Sequence, residues 1–563
     1  MPHPISTPPA TRAGRSRRQV LLGGAALLGA IGLGDVSELL RPGAAPAGAV
    51  PPDPLTVTVD LADVVGAMPA RSLGFSFEKN TVPGPMFSAA NAPLIGLFRL
   101  LGPGVLRLGG NSVDRVTWDP DGPGLTPLTV SPPDLVRLRA FLDAVDWDVI
   151  YGTPFLFSTA ADVAAEAAAA AEALGARLQG FELANEPDLY AADDTAGPIA
   201  GTPAKFNARW SSFATALLAA VPNAWLTGPS TCLLQSFDGV TSPFPTKHPG
   251  LVHQLTQHYY RGFGFGPQNI DVLLSPDPDL DATLVKLRAR STELGIGYRL
   301  TETNSFANGG EPGVSNTFAS ALWGADLVLR AGAYGADGVN IHNSGAGLGY
   351  PAIVNVNGVV TEIRPLFHGL LLAAAAGHGP MPALAIDPTT PALRAHAVAP
   401  TPTALRVVLV NTGADDQTLS LDVGRPVEAA SAARLLGSGL DATTSVTFAG
   451  AGVGTDGTWT PLPAEVLVPN GRRLAVAVPA ASAALVEITL AALPPTTTST
   501  TTRSTSTSTS TSTLPTTTTT TAPASTSTTS TTGAPAASTT SAPSSATDAV
   551  AADPVVAAPT FAG

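Results

Sequence analysis

The feature that most constrains the fold is a repeated alternation of short apolar runs with alanine-rich or amphipathic stretches between about residues 55 and 377. This pattern is typical of βα units, in which the strands lie parallel. Helices are predicted between the runs, for example at 160–174, 203–221, 282–294 and 315–331. Eight runs are candidate strands, a number that fits a closed barrel: 73–77, 105–108, 149–157, 180–183, 225–228, 255–259, 298–301 and 338–341. The predicted fold class is therefore α/β, a (β/α)8 barrel over residues 50–378.

An open, doubly wound sheet stays possible at this point, because periodicity cannot distinguish eight parallel strands in a ring from eight in a row. However, no Gly-x-Gly-x-x-Gly turn follows the first predicted strand. Such a turn marks the dinucleotide-binding form of the open sheet, so its absence from the sequence favours the barrel.

A second type of structure is predicted after the barrel. From about residue 381 the chain has short alternating strands, such as 405–410 and 473–478, separated by turns containing asparagine and glycine. This pattern predicts a β-sandwich domain over residues 379–493. The segment 55–60 reads as a strand that precedes the barrel and is a candidate to join the sandwich.

Both terminal segments have compositions typical of exported proteins. Arg17 and Arg18 precede an apolar run at 20–33, which predicts a signal peptide of the twin-arginine type over residues 1–49. A membrane anchor is less well supported, because the run is short and rich in glycine. Residues 494–563 begin with a long Thr/Ser/Pro/Ala tract that cannot bury enough apolar surface to fold, so a disordered tail is predicted. We expect a secreted or cell-envelope protein without stable membrane insertion after signal removal.

Charge and cysteine content limit the partners and cofactors. The chain has 30 Lys and Arg against 43 Asp and Glu, a net charge of -13, and the basic residues are scattered, which argues against nucleic acid binding. Cys232 is the only cysteine, so an intramolecular disulfide and a cysteine-rich metal centre are excluded. The eight histidines show no metal-binding spacing, and no metal or cofactor is expected.

Two predicted strands end in glutamate: the fourth in Asn185-Glu186-Pro187 and the seventh in Glu302. In a parallel barrel the active site lies at the C-terminal ends of the strands. Cleavage of a glycosidic bond with retention needs two carboxyl groups about 5 to 5.5 Å apart, one as nucleophile and one as acid/base. We predict that Glu302 is the nucleophile, that Glu186 is the acid/base, and that Asn185 binds the sugar 2-hydroxyl.

Other interpretations of these residues stay open. Glutamates at strand ends can be solvated loop residues or helix caps, although their joint occurrence favours catalysis. Strict alternation would direct Asn185 and Glu186 to opposite faces, so a bend at the strand end is required. Glu182 has the same parity as Glu186 but lies deeper, which favours a structural hydrogen-bonding role. Arg107, on the second strand, can pair with a carboxylate at the barrel mouth.

Several motifs together resemble glycoside hydrolase family 79, which contains β-glucuronidases and heparanases. They are Asn-Glu-Pro, the Thr-Glu-Thr strand at 301–303 followed by Asn-Gly-Gly at 308–310, and Gln-His-Tyr-Tyr at 257–260. The block Leu-Arg-Leu-Gly-Gly-Asn-Ser-Val-Asp at 106–114 and the glycines after the nucleophile are more specific than Asn-Glu-Pro. The resemblance covers about residues 55–493 and implies the acid/base on strand four and the nucleophile on strand seven.

The resemblance also implies how a sugar carboxylate is bound. In the family, a glycine-containing loop after the nucleophile and a tyrosine beyond strand eight hold it. The matching residues here are Asn308, Gly309 and Tyr350. Backbone N–H groups of such a loop can bind a carboxylate without a cationic side chain. Ala307 departs from the pattern, since these relatives usually have a second tyrosine there, and glucuronate preference is less well supported than glycosidase chemistry.

Further pocket residues are predicted with alternatives. His258 and Tyr260 are expected to line the pocket and orient Glu302, although core packing would also explain them. Glu78 and Asn111 are expected to bind ring hydroxyls, although loop solvation is an equal alternative.

The leading hypothesis is an exported, retaining exo-β-glucuronidase that removes terminal β-linked glucuronic acid from glycans or glycoconjugates, with a uronic-acid-containing carbohydrate as its partner. One alternative is a retaining β-glycosidase of the same clan that acts on neutral sugars. Another is a non-catalytic glycan-binding surface protein, which the presence of both glutamates disfavours.

Overall fold

The computed structural model describes residues 55–190, 202–264, 266–345 and 347–492. The predicted signal peptide at 1–49 and the predicted tail at 494–563 lie outside the described residues. The strands are β1 (Leu55–Met68), β2 (Leu73–Glu78), β3 (Gly104–Gly109), β4 (Thr117–Trp118), β5 (Thr129–Val130), β6 (Trp147–Thr153), β7 (Leu178–Leu183), β8 (Leu226–Thr231), β9 (Val252–Gly262), β10 (Gly297–Phe306), β11 (Gly338–His342), β12 (Ile353–Val356), β13 (Val359–Ile363), β14 (Gly379–Asp387), β15 (Leu393–Thr401), β16 (Ala404–Asn411), β17 (Gln417–Asp422), β18 (Val427–Leu436), β19 (Thr447–Phe448), β20 (Glu465–Leu467), β21 (Arg473–Val478) and β22 (Ser482–Leu490). The α-helices are α1 (Ala92–Leu100), α2 (Pro132–Val145), α3 (Ala160–Leu174), α4 (Pro203–Ala220), α5 (Phe244–Lys247), α6 (Ile270–Leu274), α7 (Pro278–Leu294), α8 (Phe318–Ala333) and α9 (Pro365–Ala375).

Eight parallel strands close into a barrel in the order β10-β11-β2-β3-β6-β7-β8-β9. The first barrel strand in the sequence, β2, pairs with the last one, β11, where Leu73 lies opposite Val339 and the ring closes. The (β/α)8 prediction is therefore confirmed, and the open sheet is excluded. The third predicted strand was too long at its C-terminal end: β6 stops at Thr153, because Pro154 follows and a proline has no N–H to donate.

The helices pack on the barrel through one apolar face. In α3, for example, Val163, Ala167, Ala170 and Leu174 are buried at helical spacing, and the helix begins at Thr159, whose side chain accepts the N–H of Asp162. Strands of the barrel are buried on both faces, as β3 and β8 are throughout. This packing leaves the strand ends as the places where polar side chains can gather.

The second structure is a β-sandwich of two sheets. One sheet has the order β14-β1-β17-β21, and the other has the order β15-β16-β22-β18-β19, with β20 paired to β18. Strand β1, which precedes the barrel in the chain, pairs antiparallel with β14 and parallel with β17. Side chains such as Val57, Leu405 and Val476 form a separate core between the sheets. Barrel and sandwich lie within one compact unit that ends at Leu493.

No helix in the described part of the chain has both the length and the apolar character needed to cross a bilayer.

Candidate active site

A sharp bend after β7 brings two consecutive side chains to the barrel mouth. Strand β7 ends at Leu183, and Ala184 and Glu186 then have φ angles of 90° and 51°. Positive φ is uncommon for residues other than glycine, so the strand pleat is broken here. The bend that the sequence required for Asn185 and Glu186 is thus present, and both side chains face the strand ends of the barrel.

Glu302 lies on β10 and is held at both carboxylate oxygens. The hydroxyl of Tyr260 donates to Oε1 at 2.7 Å, and Nη1 of Arg107 donates to Oε2 at 2.5 Å. Nδ1 of His342 lies 3.6 Å from Oε2. The side chain is buried, at 6% exposure, so these contacts fix both its position and its charge.

The surroundings of Glu302 stabilise its ionised form. Burial alone would raise the pKa of this carboxyl group, but the charges of His342, His258 and Arg107, together with the Tyr260 hydroxyl, lower it well below its ordinary range. These contacts therefore favour the ionised, carboxylate form of Glu302.

Glu186 faces Glu302 across the mouth and makes a different contact. Its Oε1 lies 3.0 Å from Nδ1 of His258. Burial would lower the pKa of His258, but the charge of Glu302 and the hydrogen bond with Glu186 raise it. One ligating atom each from Glu186, His258 and Glu302 lie within 4.8 Å of one another. The predicted pair of carboxylates is thus close together.

The same three groups could be considered as ligands for a cation. Both oxygens of Glu302 are already bound by Arg107 and Tyr260, and the guanidinium adds a fully buried positive charge beside the site. A cation would have to displace these donors and overcome that charge. The arrangement fits a substrate pocket better than a metal centre.

Arg107 connects Glu302 to the bend after β7. Its guanidinium donates to Glu302, to Glu182 through Nε at 2.7 Å, and to Oδ1 of Asn185 at 2.8 Å. Burial alone would lower the pKa of Arg107, but Glu182 and Glu302 raise it. The other oxygen of Glu182 accepts the hydroxyl of Ser230 at 2.5 Å, so Glu182 has the structural role expected for a deeper glutamate.

Asn185 is oriented by these contacts. Because Oδ1 accepts from Arg107, the amide nitrogen is the end that can donate to a ligand. That nitrogen lies 3.4 Å from Oδ1 of Asn111, which places the predicted Asn111 at the same part of the mouth.

The loops that match the family's carboxylate site lie against each other. Asn308, Gly309 and Gly310 have successive positive φ angles of 58°, 94° and 83°. The carbonyl of Gly309 accepts the N–H groups of Gly349 at 2.6 Å and Tyr350 at 3.0 Å. The N–H of Gly310 donates to the carbonyl of Ala307 at 3.3 Å, and other N–H groups of such a turn can form a concavity suited to anions. Gly309 and Tyr350 are buried, whereas Asn308 is exposed.

Tyr350 belongs to the pocket through its ring. Its ring centroid lies 6.4 Å from that of Tyr260 and 5.8 Å from that of His342. Burial, followed by the charge of Glu302, raises the pKa of Tyr350. A chain of contacts thus runs from Tyr350 through Tyr260 to Glu302.

Glu78 has a role that the sequence did not predict. Its two oxygens accept backbone N–H groups, from Asn111 at 3.1 Å and from Ser112 at 2.6 Å. Both contacts hold the turn after β3. Binding of a ring hydroxyl by Glu78 stays a prediction, and the carboxylate has already used one lone pair on each oxygen.

Sequence reasoning missed His342 and Ser76. Nδ1 of His342 lies 3.0 Å from the Ser76 hydroxyl, which is also 3.2 Å from Nη1 of Arg107. His342 ends β11, so the rule that polar residues at barrel strand ends are suspects would have found it. Ser76 lies inside an apolar strand and carries no such signal.

Part of the chain is similar in sequence to known proteins. Over 230 residues, 36% of this chain and 42% of the relative, it is 28% identical to a β-glucuronidase of Aspergillus niger. A segment of 41 residues, 7% of each chain, is 51% identical to a β-glucuronidase of Neurospora crassa. The chain is similar to fungal β-glucuronidases. The match spans less than half the length of either relative, and no family model matches the chain.

Solved structures show the same architecture. A 4-O-α-L-rhamnosyl-β-D-glucuronidase from Fusarium oxysporum superimposes with a TM-score of 0.62 at 21% identity, covering 77% of this chain and 100% of the other. An α-L-arabinofuranosidase from Thermotoga maritima gives 0.60 at 12% identity with the same coverage. At these identities the likeness shows the fold. The predicted resemblance to β-glucuronidases is confirmed by the sequence relatives, and the barrel with a sandwich by these glycoside hydrolases.

Proposed function

We propose that this protein is a retaining glycoside hydrolase, an exo-β-glucuronidase with Glu302 as nucleophile and Glu186 as acid/base. The observation that carries the proposal is the proximity of the two carboxylates, since one oxygen of Glu186 and one of Glu302 lie within 4.8 Å of each other. Double displacement needs carboxyl groups about 5 to 5.5 Å apart, whereas inversion needs about 6.5 to 9.5 Å to admit a water molecule. The short separation favours retention.

The reaction would proceed in two displacements. Glu302 attacks the anomeric carbon while Glu186 donates its proton to the glycosidic oxygen; the bond to the aglycone breaks, and an ester to Glu302 forms. Water then attacks the anomeric carbon, gives a proton to Glu186 and releases Glu302. The sugar leaves with its original configuration.

The different environments of the two glutamates support this division of roles. Glu302 accepts one charge-assisted bond from Arg107 and one bond from Tyr260, so it is held in the ionised form that a nucleophile needs. Glu186 has no arginine contact in the described structure and pairs with His258. It lies at the mouth, where a leaving oxygen would be protonated.

Specificity for glucuronate is supported by two further observations. The relatives that match in sequence are named β-glucuronidases. In addition, Gly309 of the Asn308–Gly310 turn hydrogen-bonds the backbone of Tyr350, whose ring lies beside Tyr260. A sugar carboxylate bound there could accept hydrogen bonds from N–H groups of the turn and from the Tyr350 hydroxyl. Ala307 offers no hydroxyl there, so this turn and Tyr350 would carry the recognition.

The proposal is tested by the hydrolysis rates of matched aryl β-glucuronide and aryl β-glucoside, with Glu302→Gln as control. We expect a preference for the glucuronide that the substitution abolishes. Equal or faster hydrolysis of the glucoside would overturn glucuronate specificity and favour a neutral-sugar glycosidase. Hydrolysis of neither would favour a glycan-binding protein.

We also propose that the protein is exported by the twin-arginine pathway and acts on carbohydrate outside the cytoplasm. The support is the Arg17-Arg18 pair before an apolar run, and a single cysteine, which fits a protein that needs no disulfide. Replacing both arginines by lysine should abolish export of the full chain in a host with this pathway. Unchanged export would contradict the proposal.

A further inference from the structure

Asp188 connects the segment that contains Glu186 to the end of the next barrel strand by two hydrogen bonds. Its Oδ1 accepts the N–H of Cys232 at 2.8 Å, and its Oδ2 accepts the N–H of Leu233 at 2.9 Å. Both donors directly follow β8. One carboxylate therefore joins the loop after the fourth barrel strand to the loop after the fifth.

The joined segment needs such a restraint because its backbone is strained. Glu186 has φ 51° and ψ 55°, the left-handed conformation. For a residue with a side chain this conformation is unfavourable and persists only when the surroundings enforce it. The N–H of Glu186 donates to the carbonyl of Ser230 at 3.0 Å, and the N–H of Leu189 donates to the carbonyl of Glu186 at 2.9 Å. Asp188 completes this set of bonds.

Cys232, one of the two residues whose N–H groups Asp188 binds, also lies beside Glu186. Burial, followed by the charge of Glu186, raises the pKa of the Cys232 thiol, so the thiol stays protonated beside this carboxylate. The backbone of Cys232 is held by Asp188. Loss of the Asp188 carboxylate would release the backbone of Cys232 and Leu233, and with it the end of β8, where the carbonyl of Ser230 holds the N–H of Glu186.

We propose that Asp188 is a positioning residue that holds Glu186 where it can protonate the leaving oxygen. This inference rests on the proposed function. Both carboxylate oxygens of Asp188 are bound to backbone N–H groups, so it acts through Glu186 and not on the substrate.

A positioning role for the acid predicts an effect that depends on the leaving group. A 2,4-dinitrophenolate leaves without protonation, whereas a phenolate needs a general acid. General acid catalysis contributes about 10² to 10⁴-fold, so we expect Asp188→Asn to lower kcat/KM for phenyl β-glucuronide by about 30-fold or more and for the dinitrophenyl compound by less than about 3-fold. The ratio kcat/KM reports the first displacement only, so the later role of Glu186 as base does not affect it. Asparagine keeps one acceptor oxygen and the shape of the side chain, which protects folding.

The matched control is Asp134→Asn. Asp134 is a buried carboxylate that, like the partly buried Asp188, accepts two backbone N–H groups, from Ser131 at 3.0 Å and Leu125 at 2.8 Å, at the start of α2. Its substitution should leave the ratio of the two rates unchanged, even where thermal stability falls. Glu186→Gln should show the same selective loss as the Asp188 variant.

The outcomes separate the inference from the proposed function. Selective loss for the phenyl substrate in Asp188→Asn supports the positioning role. Equal losses for both substrates, or none, would overturn it while leaving the glycosidase intact. If the unmodified protein hydrolyses neither compound, the proposed function is overturned and the inference with it.

Discussion

The hydroxyl of Tyr260 donates a 2.7 Å hydrogen bond to Oε1 of Glu302. Tyr260 and its neighbour Tyr259 lie on the same strand, but the hydroxyl of Tyr259 donates instead to Asp277, also at 2.7 Å. The two tyrosines therefore differ in one respect that can be tested, because of the two hydroxyl groups only that of Tyr260 donates to Glu302.

Substitution of Tyr260 should change the pH dependence of activity. A donor to the charged form lowers a pKa, so Tyr260→Phe should raise the pKa of Glu302 and move the acid limb of kcat/KM to higher pH. A hydrogen bond to a charged group contributes about 1.5 to 3 kcal/mol, so activity at the optimum should fall about 10- to 100-fold. Tyr259→Phe is the control and should keep the original limb. An unchanged limb in Tyr260→Phe would contradict this role.

Asn185 should act on the sugar 2-hydroxyl in the transition state. Loss of one such donor costs about 10²- to 10³-fold in kcat, which is the effect we expect for Asn185→Ala on an aryl β-glucuronide. On the matching 2-deoxy substrate the substitution should have little effect, because the hydroxyl is absent. Equal losses on both substrates would show that the amide acts elsewhere, for example on the orientation of Arg107.

Tyr350 should determine specificity more than rate. We expect Tyr350→Phe to lower kcat/KM for the glucuronide about 10-fold, the equivalent of one hydrogen bond to a charged group, and to leave slow glucoside hydrolysis nearly unchanged. The ratio of the two substrates is the measurement. A parallel fall in both would assign Tyr350 to the support of Tyr260 and Glu302 instead.

A buried ion pair outside the pocket should matter for stability. Nζ of Lys79 lies 2.6 Å from Oε1 of Glu166, which also accepts the hydroxyl of Tyr151 at 2.7 Å, and both charged side chains are almost fully buried. Removing one partner of such a pair costs about 3 to 5 kcal/mol, whereas replacing both by neutral groups is often close to neutral.

We therefore expect Lys79→Met to lower the free energy of unfolding by about 3 to 5 kcal/mol. The double variant Lys79→Met with Glu166→Gln should recover most of this loss, as measured by denaturant unfolding. Additive losses in the two single variants and the double variant would show that the two charges do not interact energetically.

The two glutamates could be found from the sequence because parallel strands bring their C-terminal ends to one side of a barrel. The bend at Asn185 and Glu186 could be inferred too, since an unbroken strand would have separated their side chains. These inferences need only the order of the strands and the period of the pleat.

The contacts between distant segments could not be predicted in the same way. Arg107 binds Glu182, Asn185 and Glu302, and the choice among carboxylates at the mouth depends on side-chain directions that no local pattern encodes. Asp188 looks in the sequence like an ordinary loop acid beside a proline. Its function becomes visible only when the end of β8 is placed against it.

The most direct test of the account is mass spectrometry of the protein after reaction with 2-deoxy-2-fluoro-β-glucuronyl fluoride, which should form the ester but hydrolyse it slowly. We expect one covalent label per chain, located on the peptide that contains Glu302 and absent from Glu302→Gln. A label on Glu186, or turnover of aryl β-glucuronides with no label at all, would contradict the assignment of Glu302 as the nucleophile.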